Sequence, residues 1–233
     1  MVENLYVVVC TREENDDIKE FVEKARASCG RQCNVMVVVN PQKIGLAEIY
    51  NNMLSNTPTD NNIVVFVHDD IEFLRDGWGE EVVRLFNEYP EYGIIGVAGS
   101  KVMDEKATWW THPGEMVGQV LHKHGGKSWL TAFSPLLDKD LEEVLVVDGL
   151  FIAVHTSRIT KHFDDERFGM HFYDISLCLD NYLDGKTKIG ATTNIRLAHR
   201  SVGELKSDWY EAKEKYLEKY RDKLPIRLND GRK

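Results

Sequence analysis

Three polar side chains follow an apolar run in the first third of the chain. Residues 63–67 are all apolar, and His68, Asp69 and Asp70 come directly after them. Two adjacent carboxylates repel each other, so they need a cation or protons to lie side by side in a folded protein. Carboxylate oxygens suit Mg²⁺ or Mn²⁺, and an imidazole moves the preference toward Mn²⁺. The segment therefore predicts a divalent-metal site, and the simpler alternative is a polar strand end that caps the next turn.

Two later residues add groups for proton transfer or metal binding. Asp174 stands where a helical pattern begins, and a carboxylate at a helix N-terminus stays ionised and can accept a proton from a hydroxyl. Its alternative role is that of the helix N-cap. His199 ends another predicted strand. A single histidine is more often structural than a ligand, so His199 is a candidate metal ligand only if the fold brings it to Asp70.

Polar residues also follow the first two apolar runs, at residues 5–10 and 35–39. The carboxyl ends of parallel strands form one crevice, where such side chains can bind a nucleoside and its phosphates. The candidates for this role are Thr11, Arg12, Glu13, Asn40 and Lys43. The chain has neither a GxGxxG nor a Walker A sequence, which argues against a dinucleotide-dependent oxidoreductase and a P-loop NTPase.

The elements that must position these residues alternate between strands and helices. Continuous apolar runs predict buried strands at residues 5–10, 35–39, 63–67 and 93–98. Apolar residues at helical spacing predict helices over 18–29, 46–54 and 78–86, the first of them capped by Asn15 or Asp16. This alternation predicts an α/β fold with a parallel sheet and right-handed crossovers, in a Rossmann-like layout.

The second half of the chain is less regular. Residues 101–143 are rich in Gly, His and Trp without a clean period, and we expect loops and short strands there. Regular patterns return with a strand at 145–154, a helix at 174–183 that Gly185 ends, and short strands at 188–192 and 195–198. The last segment, 207–224, has the pattern of an amphipathic helix, with Asp208 and Glu211 at capping-box spacing. No repeat or linker divides the chain, which favours one domain.

The composition of the chain limits which binding partners and which cellular location we expect. The chain of 233 residues holds 29 basic and 38 acidic side chains, and its net charge of −9 argues against a nucleic-acid partner. Its apolar runs are shorter than a signal peptide or a membrane span requires, so we expect a cytoplasmic protein. The four cysteines form no CxxC pair, and metal binding by Cys29 and Cys33 is a weaker alternative to ordinary free thiols.

In their order and spacing these segments resemble a glycosyltransferase of the GT-A fold, in the family-2-like group that includes streptomycin-biosynthesis-type glycosyltransferase domains. The resemblance runs from Val7 to about Pro225. The segments that carry it are residues 7–13, 45–51 with Tyr50-Asn51, 66–70 in the place of the DxD motif, 96–100, Trp109-Trp110, 147–153, Phe172-Tyr173-Asp174 and 195–199. It implies three layers, α/β/α, with a mostly parallel central sheet. It also implies one domain over residues 1–233, with a nucleotide-binding half at 1–100, an acceptor and catalytic half at 101–200 and a C-terminal helix at 201–233.

The resemblance further implies an activity and roles for individual residues. A metal-dependent, inverting glycosyltransferase of the hexosyltransferase type would move a sugar from a nucleotide-diphosphate sugar to a hydroxyl of a carbohydrate or other acceptor. Mn²⁺ or Mg²⁺ would be held by Asp70, His68 and His199 against the diphosphate. Asp174 would be the catalytic base. The residues of the donor and acceptor pockets would be Thr11, Arg12, Glu13, Asn40, Lys43, Asn51, Asp69, Trp110, Asp148 and Gly149.

Two positions depart from the family pattern and keep other functions open. Asn40 stands where such enzymes carry the aspartate that binds the base, and His68 stands at the first position of the DxD motif. Asp70 is then the principal metal ligand, and Asp69 is left to contact ribose or orient the site. One alternative is a nucleotide- or sugar-binding module without catalysis.

The other alternative is a metal-dependent phosphoesterase built on His68, Asp70 and His199. The HD-type phosphohydrolases carry their His-Asp pair on a helix, whereas here the pair follows a predicted strand. A homo-oligomer is open as well, because the aromatic face of the last helix could contact a second copy. We favour its closure against the domain itself.

Overall fold

Strands and helices alternate through the first half of the protein, with bounds close to those that the sequence predicts. The computed structural model describes residues 4–58 and 61–228, so residues 1–3, 59–60 and 229–233 of the predicted domain lie outside the described residues. The strands are β1 (Leu5–Thr11), β2 (Asn34–Val39), β3 (Ile63–His68), β4 (Ile71–Phe73), β5 (Tyr92–Gly96), β6 (Ala98–Ser100), β7 (Val102–Met103), β8 (Met116–His124), β9 (Lys127–Ala132), β10 (Glu142–Val144), β11 (Val146–Val147), β12 (Phe151–His155), β13 (Lys188–Ala191), β14 (Leu197–His199) and β15 (Ile226–Arg227). The helices are α1 (Asp16–Ser28), α2 (Leu46–Ser55), α3 (Trp78–Glu88), α4 (Tyr173–Asp184) and α5 (Ser207–Tyr220).

A seven-stranded sheet forms the centre of the described fold, in the order β10-β13-β5-β12-β3-β1-β2. β1 pairs in parallel with β2 and β3, and β13 pairs in parallel with β5. β12 lies antiparallel between β3 and β5, and β10 is antiparallel to β13. The α/β class is confirmed, but the sheet is mixed rather than mostly parallel. β12 is buried along its whole length, so its apolar pattern indicates a central strand without indicating its direction.

The helices cover this sheet on both sides. Because β2 and β3 lie on opposite sides of β1, right-handed crossovers place α1 and α2 on opposite faces. The Asn15 side chain caps α1 by accepting a hydrogen bond from the Ile18 N–H (3.0 Å), as the sequence predicts. Gly185 ends α4 in the left-handed conformation, with a φ of 73°. Among the described ranges, none of the helices combines the length and the apolar character that crossing a membrane requires.

A second sheet, in the order β11-β6-β8-β14-β4, takes several of its strands from the irregular segment. β8 and β9 form a hairpin whose turn residues, Gly125 and Gly126, both have positive φ (58° and 75°). Such a turn favours glycine and matches the twist of a tight hairpin. β8 spans nine residues, so the expectation of loops and short strands over 101–143 is wrong for this hairpin. The polar end of β8, residues 122–124, hides the alternation on which a strand prediction depends.

The last helix, α5, closes against the domain as the sequence analysis favours. It buries Trp209, Tyr216 and Tyr220, and the Tyr216 ring stacks on Phe172 at 5.4 Å between centroids. The Tyr220 hydroxyl donates a hydrogen bond to the Asp180 carboxylate of α4 (2.8 Å). The aromatic face of α5 is therefore part of the core in this structure.

The start of α5 differs from the predicted capping box. The helix begins at Ser207, and Lys206 holds the cap position without a side-chain hydrogen bond to the helix. Asp208 thus lies inside the first turn, where its Oδ1 accepts a hydrogen bond from the Trp209 N–H (3.0 Å). The predicted box is wrong because the helix starts before the residue that would have capped it. The regular helix also ends at Tyr220, and a 3₁₀ turn at Arg221–Lys223 continues it.

Candidate functional site

The segment His68-Asp69-Asp70 lies at the carboxyl end of β3, where it meets β12 and β14. The backbone N–H of His68 donates a hydrogen bond to the carbonyl of Leu150 (3.2 Å), the residue before β12. β4 begins one residue after Asp70 and pairs with β14, so that Ile71 lies opposite His199. This register places the His199 Nε2 atom 3.2 Å from the Asp70 Oδ1 atom. The fold therefore brings His199 to Asp70, which is the condition that the sequence analysis set.

His68, Asp70 and His199 form a group that could hold a metal ion. One ligand atom from each of these side chains lies within 4.8 Å of the other two. The Asp70 Oδ1 atom is buried and, within residues 4–58 and 61–228, has no hydrogen bond of good geometry. A buried carboxylate oxygen without a full partner calls for a cation. Two imidazoles and one carboxylate are a donor set that suits a divalent transition metal, so the residues fit the predicted cation.

The three side chains of this group change one another's pKa values. Burial opposes ionisation of Asp70, but the close contact with His199 and its charge, together with Ser201, outweigh burial and hold the pKa of the carboxyl below its ordinary value. Burial lowers the pKa of His68, although the nearby Asp70 opposes that change. Burial also opposes protonation of His199, yet its contacts with Asp70 raise its pKa. The site thus combines an ionised carboxylate with one imidazole that favours the neutral form.

Asp174 lies in the first turn of α4, and Asp148 lies in the turn before β12, where its charge acts on His68. The Asp174 Oδ2 atom accepts a hydrogen bond from the Gly149 N–H (2.9 Å). Asp148 accepts hydrogen bonds from the Leu150 N–H (2.9 Å) and from the indole N–H of Trp109 (3.2 Å). Phe172 occupies the cap position of α4, so Asp174 lies in the first turn and is not the N-cap. Its carboxylate is held by the backbone N–H of Gly149, in the turn before β12, and by N–H groups of the first turn of α4.

The environment of Asp174 changes its acidity. Burial, and then the charge of Asp148, raise the pKa of Asp174 to about 7. Three backbone N–H groups, of Ile175, Gly149 and Asp174 itself, partly offset this by stabilising the ionised form. A carboxyl with a pKa near neutrality can accept and release a proton at physiological pH.

The predicted nucleotide-binding loops after β1 and β2 lie next to each other. The Asn40 N–H donates a hydrogen bond to the Thr11 carbonyl (2.7 Å), and both residues are buried. The Asn40 amide is occupied within its own loop, because it bonds the Ile44 carbonyl (2.8 Å) and the Ile44 N–H (2.9 Å). The exposed candidates on these loops are Arg12, Glu13 and Lys43. The structure therefore leaves charged side chains, rather than Asn40, free to meet a ligand there.

Asp69, Asn51 and Trp110 are three further candidates from the sequence. Burial raises the pKa of Cys10 and of Tyr50, and the charge of Asp69 adds to both shifts, so Asp69 lies toward β1 and α2. The Asn51 amide bonds the backbone N–H and carbonyl of Phe163 (3.0 and 2.8 Å), which fastens α2 to the segment before α4. Trp110 is 38% exposed and meets Trp109 edge to face at 5.9 Å.

Two side chains beside the metal-capable group were not predicted. The Tyr173 hydroxyl lies 3.0 Å from the His68 Nε2 atom. His122 of β8 lies opposite His199 in the register, with ring centroids 6.0 Å apart, and stacks on Trp129. Tyr173 stands beside Asp174 in a motif that the sequence analysis quotes, and that adjacency was the available signal. No pattern in the irregular segment indicates His122, because its place follows from strand pairing.

Comparisons with known proteins give the family of the chain and identify its fold. The sequence profile of a family described as "Glycosyltransferase like family" matches residues 6–220. No curated protein matches the sequence. The structure of GalNAc-T7 with UDP, GalNAc and Mn²⁺ is similar, with a TM-score of 0.61, 10% identity, and coverage of 93% of this chain and 48% of that one.

A second similar structure is the mannosyltransferase PcManGT from Pyrobaculum calidifontis in complex with GDP-Man and Mn²⁺. Its TM-score is 0.57 at 10% identity, and the match covers 97% of this chain and 66% of that one. This chain thus spans about half of the first structure and just under two thirds of the second. Both similarities identify the fold as GT-A.

Proposed function

The chain belongs to the glycosyltransferase-like family, and on that premise we propose that it is a metal-dependent, inverting hexosyltransferase. Its donor is a nucleotide-diphosphate sugar, and its acceptor is a hydroxyl of a carbohydrate or another molecule. The observation that carries the proposal is the link between Asp174 and the group formed by His68, Asp70 and His199. Tyr173 directly precedes Asp174, and its hydroxyl lies 3.0 Å from the His68 Nε2 atom. The similar structures support this donor class, because they hold UDP or GDP-Man together with Mn²⁺.

His68, Asp70 and His199 would hold the divalent cation. Two of their three donors are imidazole nitrogens, which favours Mn²⁺ over Mg²⁺. When bound, such a cation would neutralise charge on the diphosphate leaving group. Asp69, Asp70 and Asp148 would otherwise repel a diphosphate, since all three carboxylates act on His68.

Asp174 acts as the base. The acceptor hydroxyl gives its proton to the Asp174 carboxylate while its oxygen forms a bond to the anomeric carbon of the donor. The bond from that carbon to the diphosphate oxygen breaks, and the nucleoside diphosphate leaves with the electron pair. A single displacement of this kind inverts the anomeric configuration. The hydrogen bond from the Gly149 N–H orients the carboxylate for this role.

The remaining candidates divide between donor and acceptor. Residues 1–100 form the nucleotide-binding half, in which Arg12 and Lys43 provide exposed positive charges for phosphate and Asp69 lies toward the ribose. Residues 101–200 form the acceptor and catalytic half, with the exposed ring of Trp110 available to pack on a sugar. The C-terminal helix of the predicted third segment, 201–233, is α5. The cytoplasmic location stays a prediction from the sequence.

Paired amide substitutions test the proposal. Asp70→Asn and Asp174→Asn remove the charges of a metal ligand and of the base, while Asp222→Asn at an exposed position is the matched control. Release of nucleoside diphosphate is measured with a panel of UDP- and GDP-sugars, Mn²⁺ and sugar acceptors. Each site variant should lower turnover by about 100-fold or more, and the control should leave it unchanged. Nuclear magnetic resonance of the product should show the inverted anomer.

Other results would favour the alternatives. The proposal fails if Asp70→Asn and Asp174→Asn both retain turnover. Binding of nucleotide that depends on Mn²⁺, without turnover on any acceptor, would support a non-catalytic binding module. Hydrolysis of a generic aryl phosphate without a preference for nucleotide sugars would support the phosphoesterase. A product with retained configuration would exclude the single displacement.

A further inference from the structure

The Tyr173 hydroxyl links the metal-capable group to the segment that holds Asp174. It lies 3.0 Å from the His68 Nε2 atom and donates to the Gly149 carbonyl at 3.4 Å. The Tyr173 ring is buried and packs edge to face on Tyr50, with centroids 5.6 Å apart. The hydroxyl therefore has a fixed position, and two polar partners compete for its one proton.

Gly149 provides the space for this hydroxyl. A Cβ atom at residue 149 would overlap the Tyr173 hydroxyl and would lie 3.2 Å from Asp174 Oδ2. The same residue donates its N–H to Asp174 and accepts from Tyr173 through its carbonyl. One glycine thus joins the carboxylate of Asp174 to the tyrosine that contacts His68.

The direction in which the Tyr173 hydroxyl donates its proton determines which nitrogen of His68 carries the N–H. A neutral imidazole has one N–H and one nitrogen with a free lone pair, and only the second can bind a metal ion. If the Tyr173 proton goes to the Gly149 carbonyl, the hydroxyl oxygen accepts a hydrogen bond from His68 Nε2–H. The lone pair then lies on the His68 Nδ1 atom.

We propose that Tyr173 is a positioning residue that holds His68 in the Nε2–H form and so reserves its Nδ1 atom for the metal ion. Asp70 and His199 supply the other ligand atoms of the group, as described above. The partner that fixes a metal-binding histidine is usually a carboxylate or a carbonyl, and here a tyrosine oxygen takes that place. The inference rests on the metal-dependent function proposed above. It adds that the residue preceding the base helps to build the metal site.

The tautomer of His68 in the metal-free protein is the direct test. Histidine labelled with ¹⁵N shows which ring nitrogen is protonated, and His68→Gln identifies the His68 signal among those of the eight histidines. The wild-type protein should show His68 with the proton on Nε2. A proton on Nδ1 would overturn the inference, whether or not any variant folds. This readout does not depend on turnover.

Tyr173→Phe removes the hydroxyl and keeps the ring, and Tyr210→Phe at an exposed position is the matched control. Calorimetry with Mn²⁺ alone should show about 10–100-fold weaker binding for Tyr173→Phe, as is typical when such a partner of a metal ligand is lost. Tyr210→Phe should bind as the wild type does. Equal affinity and an unchanged His68 tautomer in Tyr173→Phe would contradict the proposal. If wild-type protein binds no Mn²⁺ but shows the predicted tautomer, the proposed metal-dependent function fails while the placement of the proton stands.

Discussion

Asp174→Asn should stabilise the protein at pH 8 while abolishing its proposed turnover. The unfolded chain ionises this carboxyl near pH 3.8, whereas burial and Asp148 raise the pKa of Asp174 to about 7 in the folded protein. Between these values the unfolded state has released the proton and the folded state still binds it. Stability therefore falls with rising pH across this window, and the loss is complete above about pH 7.

The size of the effect follows from the two pKa values. A change from 3.8 to about 7 corresponds to about 4 kcal/mol of unfolding free energy at 25 °C. Asparagine has the same shape and can still accept the hydrogen bond from Gly149, but it carries no charge to bury. The substitution should therefore recover much of this free energy at pH 8 and almost none at pH 4.

Urea unfolding in the presence of a chelator measures the difference. Wild-type protein, Asp174→Asn and the exposed control Asp222→Asn are compared at pH 4 and pH 8. The free-energy difference between Asp174→Asn and wild type should become more stabilising by a few kcal/mol at the higher pH, and the control should show no such change. A variant that is equally destabilised at both pH values would refute the reasoning, because Asp174 would then ionise as an ordinary surface carboxyl does.

Three further predictions concern the same group of residues. The kcat/KM of the proposed reaction should rise with pH to a plateau above about 7. Asp148→Asn should move the midpoint of this rise to lower pH, because the Asp148 charge opposes ionisation of Asp174. An unmoved midpoint would contradict this effect of Asp148. His199→Ala should weaken binding of Mn²⁺ in calorimetry by more than about 100-fold, and unchanged affinity would remove His199 from the metal site. Gly149→Ala should lower the free energy of unfolding by about 1–3 kcal/mol, because the added methyl group overlaps the Tyr173 hydroxyl. Urea unfolding measures this change, and an unchanged free energy would show that the packing around residue 149 is looser than described.

Local patterns predict the elements of this fold better than they predict its pairing. The strands β1, β2 and β3 are continuous apolar runs, and the helices between them have clear helical spacing, so their bounds follow from the sequence. The direction of β12 does not follow, because a strand buried on both faces has the same pattern in either direction. The length of β8 was also missed, since its last residues are polar.

The candidate site shows the same division. His68, Asp70 and Asp174 could be predicted because each follows or begins a recognisable element. The place of His199 depends on the pairing of β14 with β4, which sequence spacing does not contain. Asn51 has a partner 112 residues away, and an amide that fastens two segments has no local signal that separates it from one that contacts a ligand.

The antiparallel direction of β12 gives the site backbone N–H donors that a wholly parallel sheet would not place there. Its neighbour β3, and β1 beyond β3, reach this edge with their last residues, whereas β12 begins there. Residues just before a strand have backbone N–H groups that form no hydrogen bond within the sheet. Here the N–H groups of Gly149 and Leu150 donate to Asp174 and Asp148. The N–H dipoles of the main chain thus stabilise two carboxylates that lie close together, and every substitution at residues 149 and 150 except proline keeps these N–H groups. Acidity at this edge is a property of the chain path as much as of the residues placed along it.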